Sequence, residues 1–521
     1  MNGPFVHSPV QRFARETPDA PAFSFQGEET TWAELEVQSS RVASTLLRLG
    51  AQRGDRVGIF MRKGLFLGPA IYGALRAGCA FVPLDPTLPA ERLAFIVRDC
   101  GIGVVLADDA AAKTLEAAAA DLDATVVGPS DSLTLPTVTR AELDAAPVEF
   151  TPAGGPATDL DLAYIMYTSG STGVPKGMMH THRGSLAYAR WGAGHVSLTR
   201  EDRVASHAPL HFDLSIFDFF STAQAGGCVV LVPEPVTKFP ASCTECLASE
   251  RVTVIFTVPF TLIEFLERGA LDKRDLAALR WVLFGGEPFP KKHLARLMDA
   301  LPHARFTNVY GPAEAPSCTA YDVPALDAGD ETALPIGTVS VNSADLIVDD
   351  AGEACSVGEP GELCIRSTTL TIGYWNRPDL DERAFFERPG LGREPEVWYR
   401  TGDVVQRRAD GLLEFLGRRD RMVKTRGHRV ELDEVEAALS AHPAVTEAAV
   451  VAVAAAGATR EIRAVVRLGD PAPTEAALKA WCRSKLPAYA VPVAIESRAD
   501  LPRTTSGKID RSAIAKSLPT P

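Results

Sequence analysis

The sequence has no excess of basic charge. Its 53 Lys and Arg residues against 66 Asp and Glu residues give a net charge of −13 at pH 7, and it contains no basic stripe of the kind that binds nucleic acid. The same deficit argues against an anionic membrane surface. The longest aliphatic stretch, residues 448–458, is far shorter than the roughly 20 residues of a membrane-spanning helix. We therefore expect no nucleic-acid partner and no membrane.

Signals for export and for disulfide bonding are also missing. Residues 1–22 contain no basic segment followed by an apolar one, which predicts that there is no signal peptide. The nine cysteines are scattered and odd in number, as is typical of reduced thiols. Cys243 and Cys246 have CxxC spacing, but no second Cys or His pair follows at a zinc-ligand distance. These absences predict a cytoplasmic protein.

The remaining composition is that of a globular protein, with 46% hydrophobic and 23% charged residues. At 521 residues the chain is too long for one compact core. Short β-rich runs alternate with amphipathic stretches before Ile336, which predicts parallel α/β sheets, and strands separated by turns follow it. After a polar joint at residues 417–420, we predict a compact α+β domain over residues 419–521, beyond a large N-terminal part over residues 1–418.

The strongest local signal is the string YTSGSTGVPKG at residues 167–177, which follows an apolar run at residues 162–166. Glycines let backbone amides approach an anion closely, hydroxyls add donors, and Lys176 supplies a cation, so the string predicts a phosphate-binding loop. It is not the GxxxxGK[ST] loop of other nucleotide-binding proteins. The hydroxyl donors are those of Thr168, Ser169, Ser171 and Thr172.

This string resembles the signature phosphate loop of the adenylate-forming (ANL) superfamily, which includes acyl-CoA synthetases, luciferases and the adenylation domains of nonribosomal peptide synthesis. The resemblance covers nearly the whole chain and implies two α/β subdomains and a small β subdomain, followed by a small mobile C-terminal domain. The other matching strings, in the family's order, are residues 73–85 (GALRAGCAFVPLD), 308–314 (NVYGPAE), 399–403 (YRTGD), 417–436 (GRRDRMVKTRGHRVELDEVE) and 502–508 (PRTTSGK).

The resemblance assigns roles to residues in these strings. Glu314 is expected to hold the Mg²⁺ that bridges phosphate oxygens, and Asp403 to accept hydrogen bonds from both ribose hydroxyls. Lys508 is expected to stabilise negative charge between the incoming carboxylate and the α-phosphate. Asn308 and Tyr310 are expected to hold and stack the adenine. The ATP-binding set implied in this way is Thr168, Ser169, Gly170, Ser171, Thr172, Gly173, Lys176, Asn308, Tyr310, Gly311, Ala313, Asp403 and Arg418.

Two further features concern motion and a departure from the family pattern. Because Lys508 belongs to the C-terminal domain, that domain must close on the phosphate loop, and in the family it then turns about a hinge, here at Asp420. This rotation of the domain would bring a loop that contains Lys424 and Gly427 into the active site for thioester formation. Ala313 replaces the usual Thr, whose hydroxyl normally touches the α-phosphate. Losing one hydrogen bond costs roughly 1 kcal/mol, so we expect slower chemistry or a substitute donor.

The stretch HFDLSIFD at residues 211–218 indicates which acid is activated. In amino-acid-activating members of the family, the Asp after the Phe pairs with the α-ammonium of the substrate, and here it is Asp213. A lone carboxylate in an apolar pocket is costly without such a cation; the alternative is that Asp213 only caps a helix. The other pocket residues that the resemblance implies are Leu214, Phe217, Phe256, Leu283, Gly285, Val309, Ser317 and Cys318.

The side-chain end of this pocket carries no charge, which predicts a small or medium apolar amino acid. The sequence is most similar to free-standing amino acid adenylation enzymes, above all to L-prolyl-AMP ligase-like members. This implies ATP-dependent formation of an aminoacyl-AMP with release of pyrophosphate, followed by transfer to a phosphopantetheine thiol. No carrier-protein motif follows Lys508, so the thiol is expected on a separate acyl or peptidyl carrier protein.

Several alternatives remain open at this point. The substrate is a proline-type amino acid, another apolar α-amino acid, or a β-amino acid or alanine-like residue for a macrolactam or peptide pathway. A second reading, within the same fold, is an acyl- or aryl-CoA ligase, against which Asp213 argues. A third is a nucleotide-binding module that has lost catalysis, suggested only by Ala313.

Overall fold

The computed structural model of the chain describes residues 3–152, 155, 157–168, 174–326, 332–390, 395–455, 460–503 and 509–518. The strands in these residues are β1 (Pro21–Phe25), β2 (Glu28–Thr31), β3 (Arg56–Phe60), β4 (Ala80–Pro83), β5 (Ile102–Ala107), β6 (Thr125–Val127), β7 (Thr137–Val138), β8 (Leu162–Thr168), β9 (Lys176–Thr181), β10 (Arg203–Ser206), β11 (Cys228–Leu231), β12 (Val254–Thr257), β13 (Trp281–Gly285), β14 (Arg305–Tyr310), β15 (Thr319–Asp322), β16 (Thr338–Val339), β17 (Ser343–Val348), β18 (Pro360–Ser367), β19 (Phe385–Arg388), β20 (Glu396–Arg407), β21 (Leu413–Arg418), β22 (Met422–Thr425), β23 (His428–Glu431), β24 (Val445–Ala454), β25 (Arg460–Leu468) and β26 (Ala494–Ser497).

Helices connect most of these strands. They are α1 (Ser8–Glu16), α2 (Trp32–Arg48), α3 (Leu67–Arg76), α4 (Ala90–Cys100), α5 (Ala112–Ala118), α6 (Arg140–Asp144), α7 (His182–His195), α8 (Leu214–Ile216), α9 (Thr222–Ala225), α10 (Glu234–Thr237), α11 (Pro240–Ser249), α12 (Pro259–Arg268), α13 (Lys291–Ala300), α14 (Pro378–Ala384), α15 (Leu432–Ser440), α16 (Glu475–Lys485) and α17 (Arg511–Ser517). Between α8 and α9 the chain makes one π-helical segment, Phe217–Ser221.

Two sheets of mainly parallel strands form the large N-terminal part. The nine-stranded sheet has the order β16-β15-β14-β13-β12-β10-β11-β1-β2, and its strands from β14 to β1 run parallel. The seven-stranded sheet has the order β7-β6-β5-β3-β4-β8-β9, and only β9 runs antiparallel to its neighbour. The residues of β11, β12 and β13 are all buried, as expected for parallel strands covered on both faces. The predicted parallel α/β sheets are confirmed.

A smaller antiparallel sheet follows, as the turn-rich sequence after Ile336 predicts. Its order is β17-β18-β20-β19, and β21 pairs with β20. The long strand β20 places Asp403 directly opposite Arg418, the last residue of β21. This pairing brings the predicted ribose-binding motif next to the polar joint between the two parts of the chain.

The C-terminal region, residues 419–521, contains a hairpin of β22 and β23 and a three-stranded sheet of order β24-β25-β26. Side chains alternate along β24. Ala448 and Val450 pack with the hairpin, α15 and α16 on one side of the sheet, which we call the hairpin face. Ala449 and Val451 pack with Leu501 and α17 on the other side, which we call the opposite face.

Other predictions from sequence agree with these elements. The predicted helix at residues 432–440 is α15, and the helix predicted from residue 474 is α16, which Thr474 caps. All nine cysteines are free thiols, including Cys243 and Cys246 on α11. Across the described parts of the chain, no helix has the length and apolar content needed to cross a membrane.

Candidate active site

A cleft lies at the carboxyl ends of the central strands of the nine-stranded sheet, where open α/β sheets bind ligands. Its walls include Phe256 of β12, Gly285 of β13 and Val309 of β14, and the hairpin β22–β23 approaches from the C-terminal region. Position 285 requires glycine because an added Cβ would lie 2.3 Å from the carbonyl oxygen of Val309. Strand ends from one sheet therefore form an apolar chamber that the hairpin covers.

Asp213 places a carboxylate on this apolar wall. One of its oxygens accepts a hydrogen bond from the backbone N–H of Leu214 at 3.1 Å, so Asp213 caps the short helix α8 and also lines the cleft. Burial raises the pKa of Asp213, and the positive charge of Lys424, in the same cleft, opposes the rise. A carboxylate in such surroundings is stabilised by a bound cation.

A second carboxylate, Asp403, lies at the other side of the cleft. The Tyr310 hydroxyl donates to one of its oxygens and the Arg418 guanidinium donates to the other. Arg418 also makes two hydrogen bonds of 2.6 Å to Asp420, the second residue of the predicted C-terminal domain. Burial raises the pKa of Asp420, but these bonds outweigh it and lower that pKa overall. Arg418 thus links the predicted ribose-binding residue to the predicted hinge residue.

Glu314 is fully buried and is surrounded by donors. Lys176 Nζ lies 3.1 Å and Arg429 Nη1 lies 2.9 Å from its carboxylate oxygens, and the Tyr374 hydroxyl donates to it at 2.8 Å. Burial alone would raise the pKa of Glu314, but Arg429, Lys176 and Tyr374 together hold it well below its ordinary value. Glu314 is therefore a charged carboxylate, and its cationic partners come from both parts of the chain.

The predicted phosphate loop connects β8 to β9, whose antiparallel pairing sets Thr168 opposite Lys176. Thr168 lines the cleft, and its buried hydroxyl has no hydrogen-bond partner in the described part of the chain. An unpaired buried hydroxyl of this kind is suited to a ligand oxygen. Five predicted residues of this loop lie outside the described ranges: Ser169, Gly170, Ser171, Thr172 and Gly173.

The tip of the hairpin contacts the walls of the cleft. The Gly427 N–H donates to Glu287 Oε1 at 2.6 Å, and the His428 ring packs edge-on against Phe212 with centroids 4.8 Å apart. Gly427 has φ +82°, and an added Cβ would lie 2.8 Å from Val258 Cγ1. Glycine is thus required at this position both for its backbone conformation and for close approach.

Beside the hairpin lies a second opening, which shares part of its lining with the cleft. The shared residues are Phe212, Leu214, Val258 and Gly427, and Arg426 belongs to the second opening alone. The two openings therefore meet at the tip of the hairpin, and the second gives a separate approach to the apolar chamber.

Lys508 lies outside the described residues, but residues that precede and follow it in the chain are described. Arg503 and Ile509, on either side of it, form a β-bridge, and Arg503 pairs with Glu447 at 2.6 Å. Ile509 packs with Leu501 on the opposite face of the C-terminal sheet. The hairpin face thus meets the cleft, while the residues that flank Lys508 belong to the other face.

Some of the other predicted site residues line the cleft, and some are buried behind its surface. Phe217, Leu283 and Cys318 are fully buried, and none is among the described residues that line the cleft; the Phe217 ring packs edge-on against Phe256. The Asn308 side chain donates to the Pro335 carbonyl at 2.8 Å. The predicted residues that do line the cleft are Thr168, Asp213, Leu214, Phe256, Gly285, Val309, Gly311, Ala313, Ser317, Asp403, Arg418, Lys424 and Gly427.

Several residues of the site were not singled out from sequence, and three of them bear on its chemistry. Arg429 and Tyr374 reach Glu314 from positions distant in the chain, and Tyr188 of α7 lines the cleft. Arg429 lies two residues after Gly427 in a recognised motif. Because residues two apart on a strand share a face, this spacing could have predicted that Arg429 faces the cleft. Tyr374 and Tyr188 carry no such local signal.

Comparison with known proteins agrees with this geometry. The model of the AMP-binding enzyme family matches residues 10–375, and that of the AMP-binding enzyme C-terminal domain matches residues 434–508. The chain belongs to the AMP-binding enzyme family. The predicted membership of the adenylate-forming superfamily, and the enzyme class that it implies, are therefore confirmed.

Individual relatives of this family extend over nearly the whole chain. An L-proline--[L-prolyl-carrier protein] ligase of Pseudomonas fluorescens is 34% identical over 98% of this chain and 98% of its own length. A ligase of the same name from Streptomyces coelicolor is 36% identical over 94% of this chain and 92% of its own length. Among solved structures, the amide bond synthetase McbA from Marinactinospora thermotolerans is 25% identical, with a TM-score of 0.86 over 99% of this chain and all of that chain.

Proposed function

We propose that this protein uses ATP to convert a small or medium apolar amino acid, of proline type, into its aminoacyl-AMP with release of pyrophosphate. It then transfers the aminoacyl group to the phosphopantetheine thiol of a separate carrier protein. The observation that carries the proposal is Asp213, a carboxylate on the apolar wall of the cleft, since such a group fits the α-ammonium of an amino acid. Two relatives aligned along almost the full chain are named proline–carrier protein ligases.

The nucleotide half of the cleft supports binding of ATP. Asp403, oriented by Tyr310 and Arg418, is suited to accept hydrogen bonds from the ribose hydroxyls. The unpartnered Thr168 hydroxyl and the Lys176 ammonium are suited to phosphate oxygens. Ala313 lines this part of the cleft without a hydroxyl, so Thr168 is a candidate for the donor that replaces it.

The donor set fits one Mg²⁺ held by Glu314 and phosphate oxygens, because Mg²⁺ in such sites takes one or two carboxylates together with substrate phosphates. Glu314 is charged, but Arg429 of the hairpin now bonds to both of its oxygens. Glu314 would therefore hold the ion once the hairpin withdraws. When bound, the ion would neutralise negative charge on the phosphates during attack by the carboxylate.

The C-terminal region supplies one group to each half-reaction. We place the domain division at 418, with residues 419–521 turning about Asp420. Lys508 enters the cleft for adenylation and stabilises charge on the α-phosphate as the new C–O–P linkage forms. The hairpin enters for transfer, in the arrangement described above, where Gly427 bonds to Glu287 and Arg429 to Glu314. Rigid-body turning of this kind is a common route to two states.

In the transfer step, the thiol sulfur attacks the carbonyl carbon of the aminoacyl-AMP. A C–S bond forms, the bond to the AMP oxygen breaks, and the thiol proton is released as AMP departs. The second opening beside Gly427 and Arg426 adjoins the apolar chamber, and it is the route that we propose for the phosphopantetheine arm. We also propose a cytoplasmic location, which the nine free thiols favour.

The test is amino-acid-dependent ATP–pyrophosphate exchange with L-proline, L-alanine, L-valine, L-leucine, β-alanine and benzoate. A proline-type amino acid should support exchange, and Asp213→Ala should reduce it by roughly 100-fold because the ammonium loses its buried partner. The exposed Asp123 provides a control, since Asp123→Ala should have no effect. Exchange with benzoate alone, or transfer to coenzyme A in preference to a holo-carrier protein, would favour the CoA-ligase alternative.

A further inference from the structure

Two hydroxyl groups face each other on the otherwise apolar wall of the cleft. Tyr188 of α7 is 2% exposed and Ser317 is 9% exposed, and both line the cleft. The Ser317 Oγ donates to the Tyr188 hydroxyl at 3.4 Å. This distance is longer than the roughly 2.5–3.0 Å of a good bond between hydroxyls. The contact therefore satisfies the two groups poorly.

The fold constrains the backbone that carries one hydroxyl and the ring that carries the other. Ser317 has φ +51°, and its carbonyl accepts a 2.7 Å hydrogen bond from Ser340 Oγ. Gly311 packs so closely that a Cβ there would lie 2.5 Å from the Ser317 nitrogen. The Tyr188 ring stacks on Trp191 with centroids 5.9 Å apart. Neither the Ser317 backbone nor the Tyr188 ring is therefore free to turn away from the cleft.

The hydrogen-bonding capacity of the Tyr188 and Ser317 hydroxyls is not fully used. Each hydroxyl offers one donor and two acceptor positions, and their mutual contact uses one donor. No other hydrogen bond of either hydroxyl is found in the described ranges. The pair thus offers one O–H donor and several acceptor positions to a ligand, and a buried polar group without a partner costs free energy.

The surroundings restrict what the ligand group can be. Phe256, Val309 and Gly285, which line the same cleft, bring no charge. Burial raises the pKa of Tyr188 far above its ordinary value, and the negative charge of Asp213 contributes to the rise; the tyrosine is a neutral hydroxyl. With Asp213 assigned to the α-ammonium, a charged substituent here would have no counter-charge of its own, whereas a neutral hydroxyl can both donate and accept.

We propose that Tyr188 and Ser317 are specificity-determining residues that bind a hydroxyl group on the side chain or ring of the amino acid. The substrate is then a small amino acid of proline type whose otherwise apolar side chain or ring carries one hydroxyl. This inference rests on the proposed function, because it assumes that an amino acid occupies the cleft. A site that hydrogen-bonds a substrate hydroxyl discriminates strongly against the analogue that lacks it, since its own polar groups would stay unpaired.

The experiment measures kcat/KM for pyrophosphate exchange with matched pairs of amino acids: L-proline with its 3-hydroxy and 4-hydroxy derivatives, L-alanine with L-serine, and 2-aminobutyrate with L-threonine. We expect one hydroxylated member to exceed its partner by about tenfold or more. Tyr188→Phe and Ser317→Ala should each bring the ratio of kcat/KM between the hydroxylated and the unhydroxylated member close to one, whatever their effect on the absolute rates.

The matched control is Tyr72→Phe, which removes a buried hydroxyl that donates to the Phe219 carbonyl and should keep the preference intact. A preference for the unhydroxylated member in every pair would overturn the inference, and so would an unchanged preference in Tyr188→Phe. Either result would leave amino acid adenylation standing. Absence of exchange with every amino acid tested would instead overturn the proposed function, and this inference with it.

Discussion

The two faces of the C-terminal sheet present different chemistry in the same small domain. The hairpin face carries Gly427 and Arg429, which bond to Glu287 and Glu314 in the walls of the cleft. The opposite face carries Leu501 and Ile509, close in sequence to Lys508, and these residues pack against the C-terminal sheet itself. The sheet lies between the two groups, so the two faces cannot be turned toward one cleft at the same time.

This difference gives a physical reason why the proposed turning of the C-terminal region could serve two successive reaction steps. Arg429 donates hydrogen bonds to both carboxylate oxygens of Glu314, the residue that we propose as the Mg²⁺ ligand. If Glu314 holds Mg²⁺ as proposed, an arginine and the metal ion could not share both of its carboxylate oxygens, and withdrawal of the hairpin would be linked to arrival of Mg·ATP. Mutations on the two faces should therefore impair different half-reactions, and the following changes test that separation.

The largest effect is expected from Lys508→Ala. Loss of a cation that stabilises the developing charge should lower amino-acid-dependent pyrophosphate exchange by roughly 100- to 1000-fold. Transfer from chemically prepared aminoacyl-AMP to a holo-carrier protein should change by less than about threefold. Exposed Lys516 of α17, on the same face, supplies the control variant Lys516→Ala. Equal loss in both half-reactions would remove the distinction between the faces.

Arg429→Ala should produce the converse pattern. The variant removes one partner of a buried ion pair, whose loss typically costs about 3–5 kcal/mol, although Lys176 still neutralises part of the Glu314 charge and Tyr374 still donates a hydrogen bond to it. We expect transfer to fall by about 30- to 100-fold while exchange is retained. The assay follows single-turnover loading of the carrier, with exposed Arg467→Ala as the control. A fall in exchange alone would contradict the assignment of Arg429 to the transfer state.

Gly427→Ala tests close approach of the hairpin tip. The added Cβ would meet Val258 at 2.8 Å, and φ +82° is unfavourable for alanine, so transfer should fall by about tenfold. Gly411 has a similar φ of +87° with nothing within 4 Å of an added Cβ, which makes Gly411→Ala a matched control for backbone strain. The same loss of transfer in both variants would show that contact with Val258 is irrelevant.

The smallest effect concerns two neighbouring ion pairs between α4 and the C-terminal region. Arg92 pairs at 2.6 Å with Glu434, whose side chain is 1% exposed, whereas Glu91 pairs with Lys485 at the surface. Arg92→Ala should slow transfer by several-fold because it leaves a buried charge unpaired. Glu91→Ala should change it by less than about twofold, as is usual for surface pairs. Equal rates of transfer in the two variants would contradict this ranking.

Local patterns in the sequence were sufficient for most elements of the fold. The buried runs that became β10 to β13 and the amphipathic segment that became α15 could be read directly, because their periods follow from burial on one or both sides. The insertion of β1 between β11 and β2 could not, since it depends on pairing between strands some 200 residues apart. Such pairings leave no trace in a local pattern.

The site was predicted where one short motif supplies both the residue and its role, and less well elsewhere. Asp213 and Asp403 line the cleft as expected from their motifs, although their binding roles remain predictions. Leu283 and Phe217 lie behind the surface, because alignment to a motif does not say which side of a wall a side chain occupies. Tyr188 was missed since its helix meets Ser317, 129 residues later, only in the folded chain.

Hydrogen exchange of the hairpin peptide, residues 422–431, tests most directly whether the two faces alternate in the cleft. The Gly427 N–H is held by Glu287 in the described arrangement. In the presence of Mg²⁺, the amino acid and an ATP analogue that cannot release pyrophosphate, we expect Lys508 to enter the cleft and the hairpin to leave it. This peptide should then exchange faster than it does with AMP alone. Equal or slower exchange under the ATP-analogue condition would contradict alternation, and with it the division of labour between the two faces.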